Sequence, residues 1–350
     1  MPNNSIKDNN HILWIDIAKG IGCILVVLGH FWYDAPHPKV NILIYSFHIA
    51  LFFICAGFVF KIKNDSKFFN NIFIKFKRLI IPSIFFIIFG VIMKFIINDV
   101  TSYTELFKQI IFWEGFIPFN DPVWFFIVLF EIYFIAYLIF KNKLNTVKVL
   151  ILTLFSFVLG YIVYEYKVFV PFGLNRALLC LGFFNTGILI RKVYDYFKNK
   201  KYKLLLIIIF IVSVLLWIIT ALSNGKVTIY AYNLGNYWLL MLSGIFGSIT
   251  LLIISYLLSF IKYSKIFIKI SSSSIFLIGT HYFLRYYLRN LAESIWFTNK
   301  YMIYIIIMTV VIVLIYIPIS KFLDKHLPFL TGNINKRSIS GKEKQDKTIY

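Results

Sequence analysis

Acidic side chains are scarce in this chain: Asp and Glu together number 15 against 36 Lys and Arg, a formal net charge of +21. Charge of either sign is itself sparse, at 15% of the 350 residues, while 60% are hydrophobic and 20% aromatic. That balance excludes an ordinary soluble domain. It also removes nucleic acid as the reason for the basic excess, because the cations lie in short segments between apolar runs. Cysteine is nearly absent. Cys23, Cys55 and Cys180 all fall inside apolar runs without metal-ligand spacing, so free thiols packed in a bundle are expected, with neither disulfides nor a metal site. The N-terminus, MPNNSIKDNN, lacks a basic n-region and a small-residue cleavage site, so the first apolar run is expected to be retained. No internal repeat is visible, and no stretch is polar enough for a soluble catalytic domain. Any chemistry must therefore use the apolar runs and their short connections.

What the chain has instead is length of apolar sequence. The expected fold is an all-α polytopic membrane bundle of about ten transmembrane helices, at 12–33, 42–60, 79–98, 123–140, 147–165, 174–191, 203–222, 234–260, 272–290 and 300–320. Counted on alternate sides of those spans, 26 Lys and Arg fall on one side and nine on the other, with Lys19 inside the first span. The positive-inside rule then places both termini in the cytoplasm. The expected domains are a cytoplasmic N-terminal segment over 1–11, a transmembrane part over 12–321 and a basic, disordered cytoplasmic tail over 322–350. The outward connection at 99–122 is the longest, and Thr104–Trp113 within it fits a short interfacial helix.

The first span, WIDIAKGIGCILVVLGHFWY, carries three ionisable residues, Asp16, Lys19 and His30, where a crossing helix ordinarily has almost none. Lys19 and His30 are eleven positions apart, close to three helical turns, so they share one face about 16 Å apart along the axis. Asp16 and Lys19 are an i, i+3 pair, and His30 and Asp34 an i, i+4 pair if the helix extends that far. The second span returns from the outer side and carries His48 early, at a depth similar to His30. An imidazole oriented by a carboxylate on one nitrogen can act as a base through the other. The structural alternatives stand beside these readings. Lys19 can snorkel to the interface and pair with Asp16. A lone membrane histidine, such as His48 or His281, can simply hydrogen-bond between helices.

The opening WIDIAKGIGCILVVLGH and the following IYSFHIALFFICAGFVFK resemble the start of the acyltransferase 3 family of integral membrane acyltransferases, with the fucose 4-O-acetylase-like branch the nearest in flavour. The resemblance rests on a basic residue, ten residues and a histidine (Lys19 and His30). A second-span motif follows, matched by Phe47, His48, Phe52, Phe53 and Gly57. Further on, KFKRLIIP supplies Lys75, Arg78 and Pro82, and PVWFFIVLF contains Trp124. FFNTGILIRK supplies Arg191 and Lys192, and SSSIFLIGTH ends on His281. The chain departs from the family pattern in four places: Lys19 is the less common basic residue, Ala50 replaces a proline, Cys55-Ala56 stands where a serine precedes Gly57, and Phe276 or its neighbour replaces a tyrosine.

The resemblance implies transfer of an acyl group, by default acetyl from cytoplasmic acetyl-CoA, to a hydroxyl of an extracytoplasmic or lipid-linked glycan. In that reading His30 and His48 are catalytic. Lys19, Lys75, Arg78, Arg191 and Lys192 hold the anionic donor, and Asp16, Asp34, Trp124, Arg176 and His281 support the site. For Arg176 a structural role has equal standing with binding sugar hydroxyls or a lipid phosphate. The implied partners are acyl-CoA, the glycan acceptor and the lipid bilayer, without metal or nucleic acid, and the implied location is a bacterial cytoplasmic membrane. A multi-span transporter of a small solute or glycan precursor is the competing class. Acyl-CoA-dependent release of free CoA thiol separates the two.

Overall fold

The computed structural model describes residues 12–32, 38–61, 68–96, 102, 104, 121–140, 145–168, 170–197, 203–295 and 301–333. Its longer elements are α1 (Leu13–Trp32), α2 (Pro38–Tyr45), α3 (His48–Phe58), α4 (Phe68–Ile96), α5 (Trp124–Ile139) and α6 (Thr146–Glu165). They continue as α7 (Leu174–Phe197), α8 (Lys203–Asn224), α9 (Tyr237–Leu258), α10 (Lys265–Ser272), α11 (Ser274–Ile295) and α12 (Tyr301–His326). Local chemistry marks several starts. The Asn145 side chain accepts from the Lys148 amide at 2.8 Å, and Asn236 accepts from the amides of Trp238 and Leu239 at 3.0 and 3.1 Å. Pro38 opens α2, where its missing N–H costs nothing. The expected interfacial helix over Thr104–Trp113 lies outside the described residues apart from Thr104.

Among the described residues eight helical stretches, α2 with α3 taken as one, are long and apolar enough to cross a membrane, and α10 with α11, bent by 74°, makes a ninth when the pair is taken as one span. The remaining expected span, the fourth, is α5, apolar but only 16 residues long. The chain is thus a polytopic helical bundle, and each expected span corresponds to an element. Two are not simple rods. The second is broken at Ser46–Phe47 into α2 and α3, and the ninth bends at Ser273. The third begins eleven residues earlier than expected, at Phe68, so that Lys75 and Arg78 belong to a helix rather than to a loop.

The centre of the bundle is α3, every residue of which is buried except the half-buried Ile49. It can sit there because it meets α7 backbone to backbone. A side chain at Gly57 would strike the Phe184 carbonyl, and one at Gly187 the Ile54 carbonyl. α1, α7 and α9 surround it. α8 is peripheral, with 17% of its span buried against 78% for α2–α3. Its outward Leu204, Ile207, Ile211, Leu215 and Ile219 suit hydrocarbon, where the backbone is already satisfied within the helix.

The tail differs from expectation. α12 runs past 321 to His326, residues 327–333 are ordered, and Gly332 (φ +71°) packs against the Arg78 carbonyl. Pro82 has no N–H to offer that carbonyl, which leaves it open to the tail. The expected disorder over 322–350 is therefore corrected for 322–333; 334–350 lie outside the described residues. With Gly332 on Arg78, and both Arg78 and Lys19 within electrostatic reach of Tyr133, the first and last described segments lie at one end of the bundle.

Candidate active site

The break between α2 and α3 builds the opposite, histidine-rich end. It places Tyr45 and His48 on either side of a turn, their rings edge to face with centroids 4.9 Å apart. Trp217 Nε1 on α8 donates to Ser46 Oγ at 3.0 Å, and Asn41 Nδ2 on α2 donates to the Gly29 carbonyl on α1 at 3.3 Å. These bonds fix the turn against both neighbours.

His48 is buried, with Nδ1 2.8 Å from the Ile44 carbonyl oxygen. A carbonyl only accepts, so Nδ1 carries the proton and neutral His48 keeps its lone pair on Nε2. His281 on α11 repeats the arrangement. Its Nδ1 donates to the carbonyls of Leu277 and Ile278 at 3.0 and 3.1 Å. Its Nε2 is buried and has no hydrogen-bond partner among the described residues. His30, near the end of α1, lies between these elements. Its ring centroid is 5.0 Å from that of His281, 5.6 Å from Tyr282 and 6.2 Å from Tyr45. Its Nδ1 is 3.5 Å from the Tyr45 hydroxyl, the outer limit of a hydrogen bond. Arg285 Nε donates to the His30 backbone carbonyl at 2.7 Å, setting a cation on a C-terminal carbonyl that α1 itself cannot satisfy.

His30, Tyr45, His48, Trp124, Ile229 and Tyr230 line one cleft. Its interior is small, about 40 Å³, space for a few waters. One wall is a hairpin between α8 and α9, closed by the Thr228 amide to the Asn233 carbonyl (2.7 Å) and the Asn233 amide to the Thr228 carbonyl (3.1 Å). Arg176 on α7 clamps this hairpin. Its Nε and Nη2 donate to the Tyr230 carbonyl at 3.0 and 2.8 Å, and its guanidinium lies 5.2 Å from the Tyr232 ring centre. Of the two readings left open for Arg176, the contacts described are those of a structural cation that holds the cleft wall.

The basic residues gather at the other end. Lys19 pairs with Asp16 at 3.0 Å. Lys75 Nζ stands 3.8 Å over the Tyr133 ring, and Lys19 and Arg78 are within electrostatic reach of the same tyrosine. Arg191 lies 5.4 Å from the Phe58 ring centre and bonds Asp195 at 2.7 Å, with Lys192 next on the helix. Phe58 is two residues before Phe60, whose ring packs at 6.2 Å on Tyr133. α1 is unbroken from Leu13 to Trp32, so the helix rise still separates Lys19 from His30 by about 16 Å.

The structure therefore brings His30, His48, Trp124 and His281 to one end and Asp16, Lys19, Lys75 and Arg78 to the other. Asp34 lies outside the described residues. Three residues at the histidine end escaped the sequence reading. Tyr45 joins His30 to His48, but an aromatic three residues before a histidine is no signal in a chain this rich in aromatics. Arg285 is one of the nine Lys and Arg on the cation-poor side, a count that gives it no further role. Glu131 carries a stronger signal, being a carboxylate inside an apolar span. Its Oε2 is buried without a hydrogen-bond partner among the described residues, and Arg176 is its electrostatic neighbour. The reasoning that singled out Lys19 applies to it equally. The three cysteines are buried and unpaired.

The fold and this two-ended arrangement define a multi-pass membrane protein with a histidine cleft at one end and a cationic cluster at the other. Over residues 12–321 the chain matches the model of a family described as an acyltransferase domain. It belongs to that family, acyltransferase 3, and is a membrane acyltransferase. No curated protein and no solved structure matches it.

Proposed function

We propose that the protein is an O-acetyltransferase of a bacterial cytoplasmic membrane, of the fucose 4-O-acetylase-like kind. It takes acetyl from cytoplasmic acetyl-CoA to a hydroxyl of an extracytoplasmic or lipid-linked glycan. The observation that carries the reading is the cleft shared by His30, Tyr45 and His48, set about three helical turns along α1 from Lys19. CoA phosphates meet Lys75, Arg78, Arg191 and Lys192, with Lys19 deeper, and guanidinium groups suit phosphate through paired N–H donors. The extended pantetheine arm carries the thioester toward the cleft.

There the acceptor hydroxyl attacks the thioester carbon. Its O–H proton passes to neutral His30, the C–O bond forms and the C–S bond breaks. The sulfur leaves as thiolate and takes the proton back as free CoA thiol. His48 Nε2, holding a lone pair, accepts from a neighbouring hydroxyl of the acceptor and orients the sugar, leaving the single proton of the reacting hydroxyl to His30. In this tautomer His48 does not donate to an oxyanion. Tyr45 brings the cleft a hydroxyl donor. Asp34 is the further carboxylate proposed to serve His30.

Isolated membranes supplied with labelled acetyl-CoA and the organism's glycan test the reading. His30→Ala should lower transfer by about 10²–10⁴. Transfer at the wild-type rate removes the mechanism, and transfer without release of CoA thiol removes the donor.

A further inference from the structure

We infer that His281 is the positioning residue of His30: its Nε2 accepts a hydrogen bond from His30 Nε2–H and so fixes His30 in the tautomer whose Nδ1 is the proton acceptor. The inference rests on the reading of His30 as the base and adds the residue behind it.

Three observations converge. His281 Nδ1 is committed to two backbone carbonyls, so its Nε2 can only accept, and that atom is buried with no partner among the described residues. A buried polar atom left unpaired costs free energy, so the site is incomplete without an N–H donor there. The imidazole beside it is His30, with ring centroids 5.0 Å apart. Ring nitrogens lie about 1.1 Å from their centroids, and an N–H···N bond spans about 3 Å, so two imidazoles joined in this way stand about 5.2 Å apart. The observed separation is close to that of a bonded pair, and the proposed bond forms when the His30 ring turns its Nε2–H onto His281 Nε2.

The third observation is the other nitrogen. His30 Nδ1 faces the Tyr45 hydroxyl at 3.5 Å, a contact loose enough for an acceptor hydroxyl to replace. With Nε2–H on His281, the Nδ1 lone pair is directed to the cleft in every molecule rather than in a fraction of them. When Nδ1 takes the acceptor's proton, His30 becomes an imidazolium whose Nε2–H remains bonded to neutral His281. The charge is thus held in a buried site by a neutral imidazole at Nε2–H. Charged groups facing this pair include Arg285, whose Nε is bound to the His30 carbonyl. His48 faces it across the cleft. The logic is that of an oriented base, with an imidazole in the orienting place.

Membranes carrying His281→Leu and His281→Gln provide the test, assayed for labelled acetyl transfer. Leucine removes the acceptor, whereas the glutamine amide oxygen reaches the position of Nε2. His281→Leu is expected to lower kcat by about 10²-fold with KM for acetyl-CoA within threefold of wild type, and His281→Gln to recover at least tenfold of that loss. In a His30→Ala background, His281→Leu should cost nothing more, since the two act as a unit. Wild-type kcat in His281→Leu, no recovery in His281→Gln, or an additive loss in the double variant overturns the inference. Should the leucine variant fail to fold, nitrogen-15 histidine spectra of the wild type decide, with the His30 signal assigned by its loss in His30→Ala. A protonated Nε2 supports the pair and a protonated Nδ1 overturns it. If His30→Ala itself transfers at the wild-type rate, the proposed mechanism fails first. If His30→Ala is inactive and His281→Leu is not impaired, only the pairing fails.

Discussion

The two ends of the bundle handle polar groups in opposite ways. At the basic end the cations already have company: Lys19 has Asp16, Arg191 has Asp195, and Lys75 lies over Tyr133. Each remains near the end of a helix, where a phosphate can displace or join the existing partner. At the histidine end the polar atoms are held by backbone carbonyls on one side and left unanswered on the other. Nδ1 of His48 and Nδ1 of His281 are both fixed, and the opposite nitrogens keep their lone pairs. Under the proposed function the contrast is that between a binding surface, which tolerates rearrangement, and a reacting surface, which needs one geometry. It also predicts that damage at the two ends will differ in kind, through KM at the first and kcat at the second.

The largest expected effect is at the histidine end. His30→Ala should remove about 10²–10⁴ of turnover while leaving the apparent KM for acetyl-CoA within a few fold, measured as labelled acetyl transfer over a donor titration. A rise in KM alone would erase the distinction between the ends. Next is Arg78→Ala. Losing a hydrogen bond to a charged group costs about 1.5–3 kcal/mol, so KM for acetyl-CoA should rise roughly ten- to hundredfold with kcat little changed. The wild-type KM should also climb with salt, as expected of exposed cations meeting phosphates. Arg176→Met leaves the Tyr230 carbonyl without its two donors and loosens the cleft wall. A cost of about 1–3 kcal/mol is expected, read as a lowered melting midpoint in detergent and a raised requirement for the glycan. The smallest is Trp217→Phe, which removes the bond to Ser46 but keeps an aromatic ring against Phe47. About 1 kcal/mol of stability, with kcat reduced no more than severalfold, is expected from melting and transfer assays.

Much of this arrangement was legible in the sequence because hydrocarbon is an unforgiving solvent. Lys19 and His30 stand out against a background in which ionisable groups are almost excluded, and a single unbroken helix converts their spacing directly into distance. The alternation of cation-rich and cation-poor connections carries the side assignment in the same way. What escaped has equally physical reasons. The break before His48 is invisible to hydropathy, since IYSFHIALFF is apolar throughout and its turn is stabilised by Trp217, some 170 positions away. The bend between α10 and α11 falls in a run of serines that suits a helix or a turn alike. Tyr45 was hidden by abundance. Glu131 is visible by the same rule, one residue beyond PVWFFIVLF. The early start of α4 follows from Lys75, Lys77 and Arg78 lying on a helix that projects beyond the apolar stretch, which a hydropathy window counts as loop.

Gly57 and Gly187 bring α3 and α7 so close that neither backbone can shift past the other. These two helices carry residues of both ends: His48 and Phe58 on one, Arg176 and Arg191 on the other. They form a single strut that holds the basic end and the histidine end at constant separation. Whatever widens the small cleft must therefore move around that strut, by swinging the hairpin or the α11 end of the bundle. Mutational tolerance follows the same division. A methyl group added at position 57 or 187 has nowhere to go, whereas the outward leucines and isoleucines of α8 can exchange freely with other residues that dissolve in lipid.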